Sequence, residues 1–311
     1  QGLLKYILSN INTKSPDVLK SIGDDCAVLR INSTKSYVIT TDTSLQGPHF
    51  TSDYKPNEIG YKSLSTNLSD IAAMGCTPKF FLISITLPEL NDSWVKSFYR
   101  GINELVKTFR LTLIGGDTNK GPLSITIQVI GVSNNKILYR STAKINDDVY
   151  VTGVLGGASA ALIFKKKRDK LNYKKFEKYL KKPKPRILIG KEISKIANSC
   201  IDISDGLMKD LGHITKMSNV GATINLEDIP SHKTLKILLN ENLYYQSLIG
   251  GGEDYELCFT ANPRMRKKII NIAKRTNTKI SMIGKITNKD LLFKYNRSEK
   301  KFSFEGFDHF V

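Results

Sequence analysis

A set of acidic side chains in this 311-residue chain sits where chemistry is usually done. Asp24 and Asp25 follow Ile22-Gly23, Asp42 closes Thr40-Thr41, and Asp117 follows Gly115-Gly116. Asp202 and Asp205 flank Ile203-Ser204, and Glu253 and Asp254 follow three glycines. Asp70 lies between Leu68 and Ile71, where a carboxylate is costly to bury unless it is paired or bound to metal. In a chain with 47 Lys+Arg against 29 Asp+Glu, acids are expected to be scattered as partners for lysine. These occupy the least charged, most glycine-rich stretches instead. Each alone reads as a cap or turn former. Together they read as a hard-cation site, because Mg²⁺ takes carboxylate oxygens, keeps several waters and fills its shell with substrate phosphates.

No His/Cys cluster offers a softer metal a home. No GxSxG elbow or Ser-His-Asp triad is present. His213, inside Leu211-Gly-His-Ile, reads as structural, whereas His49, in the Gly47-Pro48-His49 loop beyond Asp42, reads as facing a ligand.

The acids need elements to carry them. Short apolar runs predict strands at 26–31, 37–41, 80–87, 111–114, 123–132, 149–152, 200–203, 221–226, 255–260 and 280–286. The run at 111–114 is expected to stop at Gly115-Gly116, presenting Asp117 at a strand end, where α/β proteins usually place ligands. Helices are expected over 3–8, 57–74, 186–197 and 264–275. Trp94, Phe98, Ile102, Leu105 and Phe109 mark one face of an amphipathic helix. Gly153-Val-Leu-Gly-Gly-Ala-Ser159 matches neither GxGxxG nor GxxxxGK[ST], so neither a dinucleotide fold nor a P-loop is expected. Helix and strand alternate in both halves, giving an α/β (α+β) class with two domains, 1–144 and 145–311.

Length and composition fit two globular cores. No run of apolar residues is long enough for a membrane helix, and the amino-terminal decapeptide lacks the features of a secretory signal. Cys26, Cys76, Cys200 and Cys258 are far apart, as expected of reduced, buried thiols in a cytoplasmic protein. The net charge of +18 raises the possibility of RNA binding. Lysine is enriched throughout, however, so no nucleic-acid or membrane partner is expected. Lys165 to Lys184 reads as a surface helix with Tyr173, Phe176 and Leu180 inward and lysines outward. The residues by themselves reach a Mg-dependent enzyme that handles phosphate.

Seven segments, in order, resemble a known family: Ser21-Ile-Gly-Asp-Asp-Cys-Ala-Val-Leu29, Thr40-Thr-Asp-Thr43, Asn67-Leu-Ser-Asp-Ile-Ala-Ala-Met-Gly75, Leu113-Ile-Gly-Gly-Asp-Thr-Asn119, Ile201-Asp-Ile-Ser-Asp-Gly-Leu207, Gly250-Gly-Gly-Glu-Asp-Tyr-Glu-Leu257 and Gly306-Phe-Asp-His-Phe310. They resemble the thiamine-monophosphate kinases, nearly end to end. The second pair of motifs is also shared with aminoimidazole-ribonucleotide synthetase, selenophosphate synthetase and a hydrogenase maturation protein. The resemblance implies a two-domain synthetase-like fold whose N-terminal strands form a barrel across a homodimer. It implies ATP as co-substrate and thiamine monophosphate as acceptor. Asp25, Thr40, Thr41, Asp42, Asp70, Asp117, Asp202 and Asp205 match the family's magnesium positions. Gly116, Asp117, Arg140, Ser204 and Tyr99 match positions around ATP, and His49, Glu253 and Phe307 positions facing the thiamine phosphate. Asp117, Asp205 and Arg140 are the expected catalytic set. Alternatives are another ATP-dependent synthetase of the superfamily and a basic RNA-binding module. The selenophosphate reading is weakened by the absence of a reactive Cys from the amino-terminal segment.

Overall fold

The computed structural model describes residues 7–133 and 136–304. Two sheets with helices account for them. The first has six strands in the order β1-β2-β3-β6-β4-β5: β1 (Val18–Lys20), β2 (Ala27–Arg30), β3 (Ser36–Leu45), β4 (Thr77–Leu87), β5 (Thr112–Lys120) and β6 (Ser124–Ser133). Neighbours are antiparallel except β4 and β5, which run parallel. A parallel pair needs a crossover, and helix α2 (Asp92–Phe109) supplies it. The second sheet has seven strands in the order β13-β12-β9-β11-β7-β10-β8: β7 (Asp148–Thr152), β8 (Ala197–Asp202), β9 (Gly221–Asn225), β10 (Leu257–Ala261), β11 (Ile280–Thr287), β12 (Leu291–Tyr295) and β13 (Ser298–Glu299). The α/β class expected from alternation is what the chain adopts.

Local chemistry explains the elements that position the site. In β6, Ile125, Ile127 and Val129 alternate inward while Thr126 and Gln128 face out. In α2, Asn91 accepts a hydrogen bond from Trp94 N at 3.0 Å, a cap of about 1 kcal/mol. Phe98, Ile102 and Leu105 of that helix are buried, as their spacing predicts. Helix α1 (Pro56–Ala73) begins with Pro56 at its first turn, and Glu58 reaches back to Lys55 N at 2.9 Å. It packs against β3, α2 and helix α5 (Ile187–Ile193). Leu64, Leu68 and Ile71 bury its apolar side, but Lys62, Thr66, Asn67 and Ser69 are buried too. A helix that is polar on a buried face lines a site rather than a core.

Some expectations fail for physical reasons. Gly115-Gly116 does not end a strand. β5 runs on through Asp117 to Lys120, paired with β4. Gly116 is needed for that pairing, because a Cβ there would meet Ile83 O at 1.8 Å. The lysine-rich stretch is not one helix: α3 (Gly157–Lys166) and α4 (Lys170–Lys181) meet at Arg168, which has a left-handed backbone. Phe176 and Leu180 are buried as expected. The helix predicted over 186–197 is only α5, and Ala197 already belongs to β8. Strands β1, β12 and β13 were not foreseen; they are short or lack an alternating pattern. The predicted helix 3–8 falls mostly outside the described residues, though residues 7–10 are helical. All four cysteines are buried free thiols. Among the described residues no helix is long and apolar enough to cross a membrane.

Candidate active site

Three carboxylates from distant parts of the chain converge first. Asp25 comes from the loop before β2, Asp70 from α1 and Asp202 from the end of β8. Oxygens from these three lie within 4.8 Å of one another. Arg140 Nη2 donates to Asp25 at 2.5 Å, and the Thr40 hydroxyl of β3 donates to Asp70. Asp25 Oδ2 is buried with no donor. Burial raises the proton affinity of all three. For Asp25 this outweighs the opposing pull of Arg140. For Asp70 the neighbouring carboxylates add to it. Without a counter-charge, such a cluster must hold protons. An oxygen-only donor set with an orphaned buried oxygen fits a hard divalent cation.

The cluster forms one wall of a cavity of about 490 Å³. Asp42, Asp70, Asp202, Ser204 and Asp205 line that wall. Burial also raises the pKa of Asp42, and the charge of Glu253 adds to the effect. His49, Lys62, Lys165 and Glu253 also line the cavity. Two turns are packed together at the cavity. A Cβ on Gly252 would meet Ser204 O at 2.1 Å, so the Gly250-to-Asp254 turn can lie on the Ser204-Asp205-Gly206 turn only if glycine stands there. Asp210, in the first turn of helix α6 (Leu207–Ser218), holds the second turn by accepting from Ser204 N, Asp205 N and Gly206 N at 3.0, 3.0 and 3.1 Å. Asp254 holds the start of α3, accepting from Gly156 N at 2.8 Å.

The structure gathers some of the expected residues and separates others. Asp25, Thr40, Asp42, Asp70, Asp202, Ser204 and Asp205 share the acidic wall or its support. Asp205 pairs with Lys209 at 2.9 Å. His49 and Glu253 line the same cavity; Glu253 N donates to Ser204 O at 2.8 Å, and His49 Nδ1 accepts from Leu45 N at 3.1 Å. Arg140 stands behind Asp25 rather than on the cavity surface. Thr41 and Asp117 lie on the sheet's other face. Thr41 Oγ1 accepts from Gln128 at 3.1 Å. Asp117 pairs in register with Ser84, then Thr126, then Thr43, all facing away from α1. Its strand is also three strand spacings from β3, roughly 14 Å. Tyr99 sits on α2 with its ring edge-on to Phe98, away from the cavity. Phe307 lies outside the described residues; the nearest described aromatic, Phe304, packs on Gly250.

Sequence reasoning missed Lys62, Asp210 and Lys165. Lys62, Thr66 and Asp70 stand at i, i+4 and i+8, one face of α1, a spacing that would have flagged Lys62. Lys165, read as solvated, donates to Thr51 and Asp53 at the cavity rim. Lys174 and Lys175 remain exposed on α4. Replacing both with alanine should leave turnover within about twofold, as expected for surface charges, Lys175 bonding to Asn172 within its own helix at 3.0 Å. A steady-state assay showing a tenfold loss would give that helix a role its position does not suggest.

Burial raises the pKa of Asp254 to about 7, more than its backbone donors lower it. The folded state therefore keeps a proton that the unfolded chain, with a carboxyl near 4, gives up. The resulting stability is complete below about pH 4 and is lost as pH rises through about 7. Asp254→Asn keeps the acceptor for Gly156 N and removes this titration. With metal chelated, its urea midpoint should exceed that of the wild type at pH 8 and approach it at pH 4. An equal deficit at both pH values would remove Asp254 as the cause.

The fold and this site define a class. The chain matches the family model for the AIR synthase related protein N-terminal domain over residues 23–133 and that for the C-terminal domain over 144–294. A thiamine-monophosphate kinase of Buchnera aphidicola subsp. Schizaphis graminum is 40% identical over 316 residues, covering 99% of this chain and 98% of that protein. The thiamine-monophosphate kinase structure from Stenotrophomonas maltophilia K279a is 33% identical with a TM-score of 0.82, covering 96% of this chain and 97% of that one. The AaThiL structure, complexed with AMPPCP and TMP, is 30% identical with a TM-score of 0.83, covering 99% and 95%. The chain belongs to the thiamine-monophosphate kinase family.

Proposed function

We infer that this protein transfers the γ-phosphoryl group of ATP to thiamine monophosphate, yielding ADP and thiamine diphosphate, the last step of thiamine diphosphate biosynthesis. The observation that carries this reading is similarity along nearly the whole chain to enzymes of that name, one of them solved with an ATP analogue and TMP. The cavity supports it: its lining combines a group of acids with Lys62, His49 and Glu253.

An oxygen of the acceptor phosphate forms the new bond to the γ-phosphorus while the bond to the β-bridging oxygen breaks, and ADP leaves with that electron pair. The attacking oxygen is already deprotonated near neutral pH, so no side chain need act as general base. The task for the protein is positioning and charge compensation. Asp25, Asp42, Asp70, Asp202 and Asp205 are suited to hold Mg²⁺. When bound, Mg²⁺ would neutralise the phosphates of donor and acceptor. Ser204 and the backbone of its turn are placed to bind nucleotide phosphate beside that wall. Arg140 acts through Asp25, keeping that carboxylate aimed at the cluster.

The protein is read as a homodimer, with residues 1–144 carrying dimerisation and ATP binding and 145–311 completing the site. β5 is exposed along its whole length, with Leu113 and Ile114 about half-exposed. A long, partly apolar edge strand of this kind calls for a partner. A second copy seated on this face would cover β5. It would also bring Asp117 and Thr41, which its own sheet holds away from the cavity, to the other copy's acidic wall. The cytoplasm is the compartment that suits a reaction drawing on ATP.

The test is an ADP-release assay with ATP, Mg²⁺ and separate acceptors: thiamine monophosphate, thiamine and an aminoimidazole precursor. Turnover is expected with the monophosphate alone. Phosphorylation of thiamine but not its phosphate would refute the acceptor assignment.

A further inference from the structure

Lys62 is a buried cation in the cavity that the reaction above leaves without a role. Its side chain is 5% exposed. The ammonium donates to His49 O at 2.9 Å, ion-pairs with Glu253, and stands 5.7 Å from the centre of the Tyr54 ring. Burying a lysine is expensive even beside a half-buried glutamate, and an apolar side chain of similar volume would usually stabilise as well or better. The cost is understandable if the charges meet something charged.

We propose that the Lys62 ammonium binds the phosphate of the acceptor and so makes the enzyme select a phosphorylated acceptor over the free alcohol. The proposal rests on the thiamine-monophosphate kinase reading. An ammonium has three donors. The His49 carbonyl and Glu253 take two, and the third is available on a side chain that lines the cavity. Thr66 and Asp70 continue the same face of α1 from Lys62 to the acidic wall. An acceptor phosphate between them meets the cation-binding wall on one side and a fixed positive charge on the other. The other lysine on the cavity, Lys165, has its ammonium 2.5 Å from Thr51 Oγ1 and 2.6 Å from Asp53 Oδ1, and its side chain is 32% exposed.

The Lys62–Glu253 pair also complements the acceptor as a whole. Thiamine monophosphate carries an anionic phosphate and a cationic thiazolium ring. Lys62 faces the first and Glu253 the second. The two side chains neutralise each other as a pair. With acceptor bound, each gains a partner of opposite sign, so neither is left as an unpaired buried charge. Free thiamine offers only the cation, and Lys62 is then left with the glutamate it already had.

The experiment compares Lys62→Met and Lys62→Gln with wild type. Calorimetric titrations use thiamine monophosphate and thiamine, each with Mg²⁺ and a non-hydrolysable ATP analogue present. Lys62→Gln retains a donor for the His49 carbonyl and serves if the methionine variant does not fold. Affinity for the monophosphate should fall about 10- to 100-fold, the range for a lost charge-assisted hydrogen bond. Affinity for thiamine should hold or rise, because loss of Lys62 releases Glu253 for the thiazolium cation. In turnover, KM for the monophosphate should rise while KM for ATP holds. Equal weakening of both acceptors would make Lys62 a tether for Glu253 and overturn the proposal. So would an unchanged preference for the monophosphate in an active variant. A wild type that does not phosphorylate thiamine monophosphate is a separate result, which removes the functional reading itself.

Discussion

Asp70→Asn is expected to lower turnover about 1,000-fold, the scale seen when a group organising transition-state charge is lost, while the chain stays folded. The reasons come from one cluster. Asp70 places an oxygen within 4.8 Å of oxygens of Asp25 and Asp202, and burial with the neighbouring carboxylates pushes its pKa well up. Asparagine keeps the size and still accepts from Thr40, so packing survives. It removes one negative charge from a site that has an excess, so the metal-free variant should be as heat-stable as wild type or more so. A gain of about 1 kcal/mol corresponds to about 2–4 °C in a domain of 150–250 residues. Added Mg²⁺ should raise the wild-type melting temperature and raise that of the variant much less, since ligand binding to the native state stabilises by mass action. Loss of activity with greater metal-free stability is the signature of a functional carboxylate. Near-normal turnover and an undiminished Mg²⁺ shift in the variant would place Asp70 outside the metal shell.

Asp117→Asn should be similarly inactive although its side chain is exposed, and the informative experiment is to mix it with Asp70→Asn. Within one chain, Asp117 lies on the face of the first sheet that turns away from α1, in register with Ser84 and Thr126. Here it accepts from Thr118 N at 2.9 Å and Asn119 Nδ2 at 2.6 Å, both on its own strand. If each site takes Asp70 from one protomer and Asp117 from its partner, a mixed dimer of the two variants has one site with both lesions and one with neither. Random reassortment makes half the dimers mixed, so about a quarter of wild-type activity should return. Each variant alone stays inactive. If the two residues served a site within one chain, mixing would restore nothing. Size-exclusion chromatography with light scattering, run on the same samples, shows whether the chain dimerises and whether Leu113→Lys, on the exposed strand, prevents it.

The acidic set was legible because its members stand out against a lysine-rich background. Asp25, Asp42, Asp70, Asp202 and Asp205 are found on or behind one wall. The helices were legible where an apolar stripe repeats, as at Phe98, Ile102 and Leu105. Periodicity puts Lys62 on the face of α1 that carries Asp70, but it could not reveal that Lys62 is buried. A lysine in a helix reads as solvated, and its burial depends on Glu253, which is remote in sequence. Nor could it show that β5 continues through Gly115-Gly116. Glycine permits a turn, but whether the chain turns depends on the neighbouring strand. Here β4 offers a backbone so close that only glycine fits.

The Gly115-Gly116-Asp117 and Gly250-Gly251-Gly252-Glu253 segments look alike in sequence and invite one explanation. The tertiary structure assigns them different tasks. The second lies on the Ser204-Asp205-Gly206 turn at the cavity, and the first is an edge strand on the far face of the other sheet. The amino-acid sequence by itself determined the class of fold and the family. Those depend on residue type and on periods of two and 3.6 residues, which are local. Only the tertiary structure decided which acids meet, that a buried lysine faces them, and that Asp117 does not reach them within its own chain. Strand order, sheet face and helix docking set those outcomes, and they arise from contacts between residues far apart along the chain.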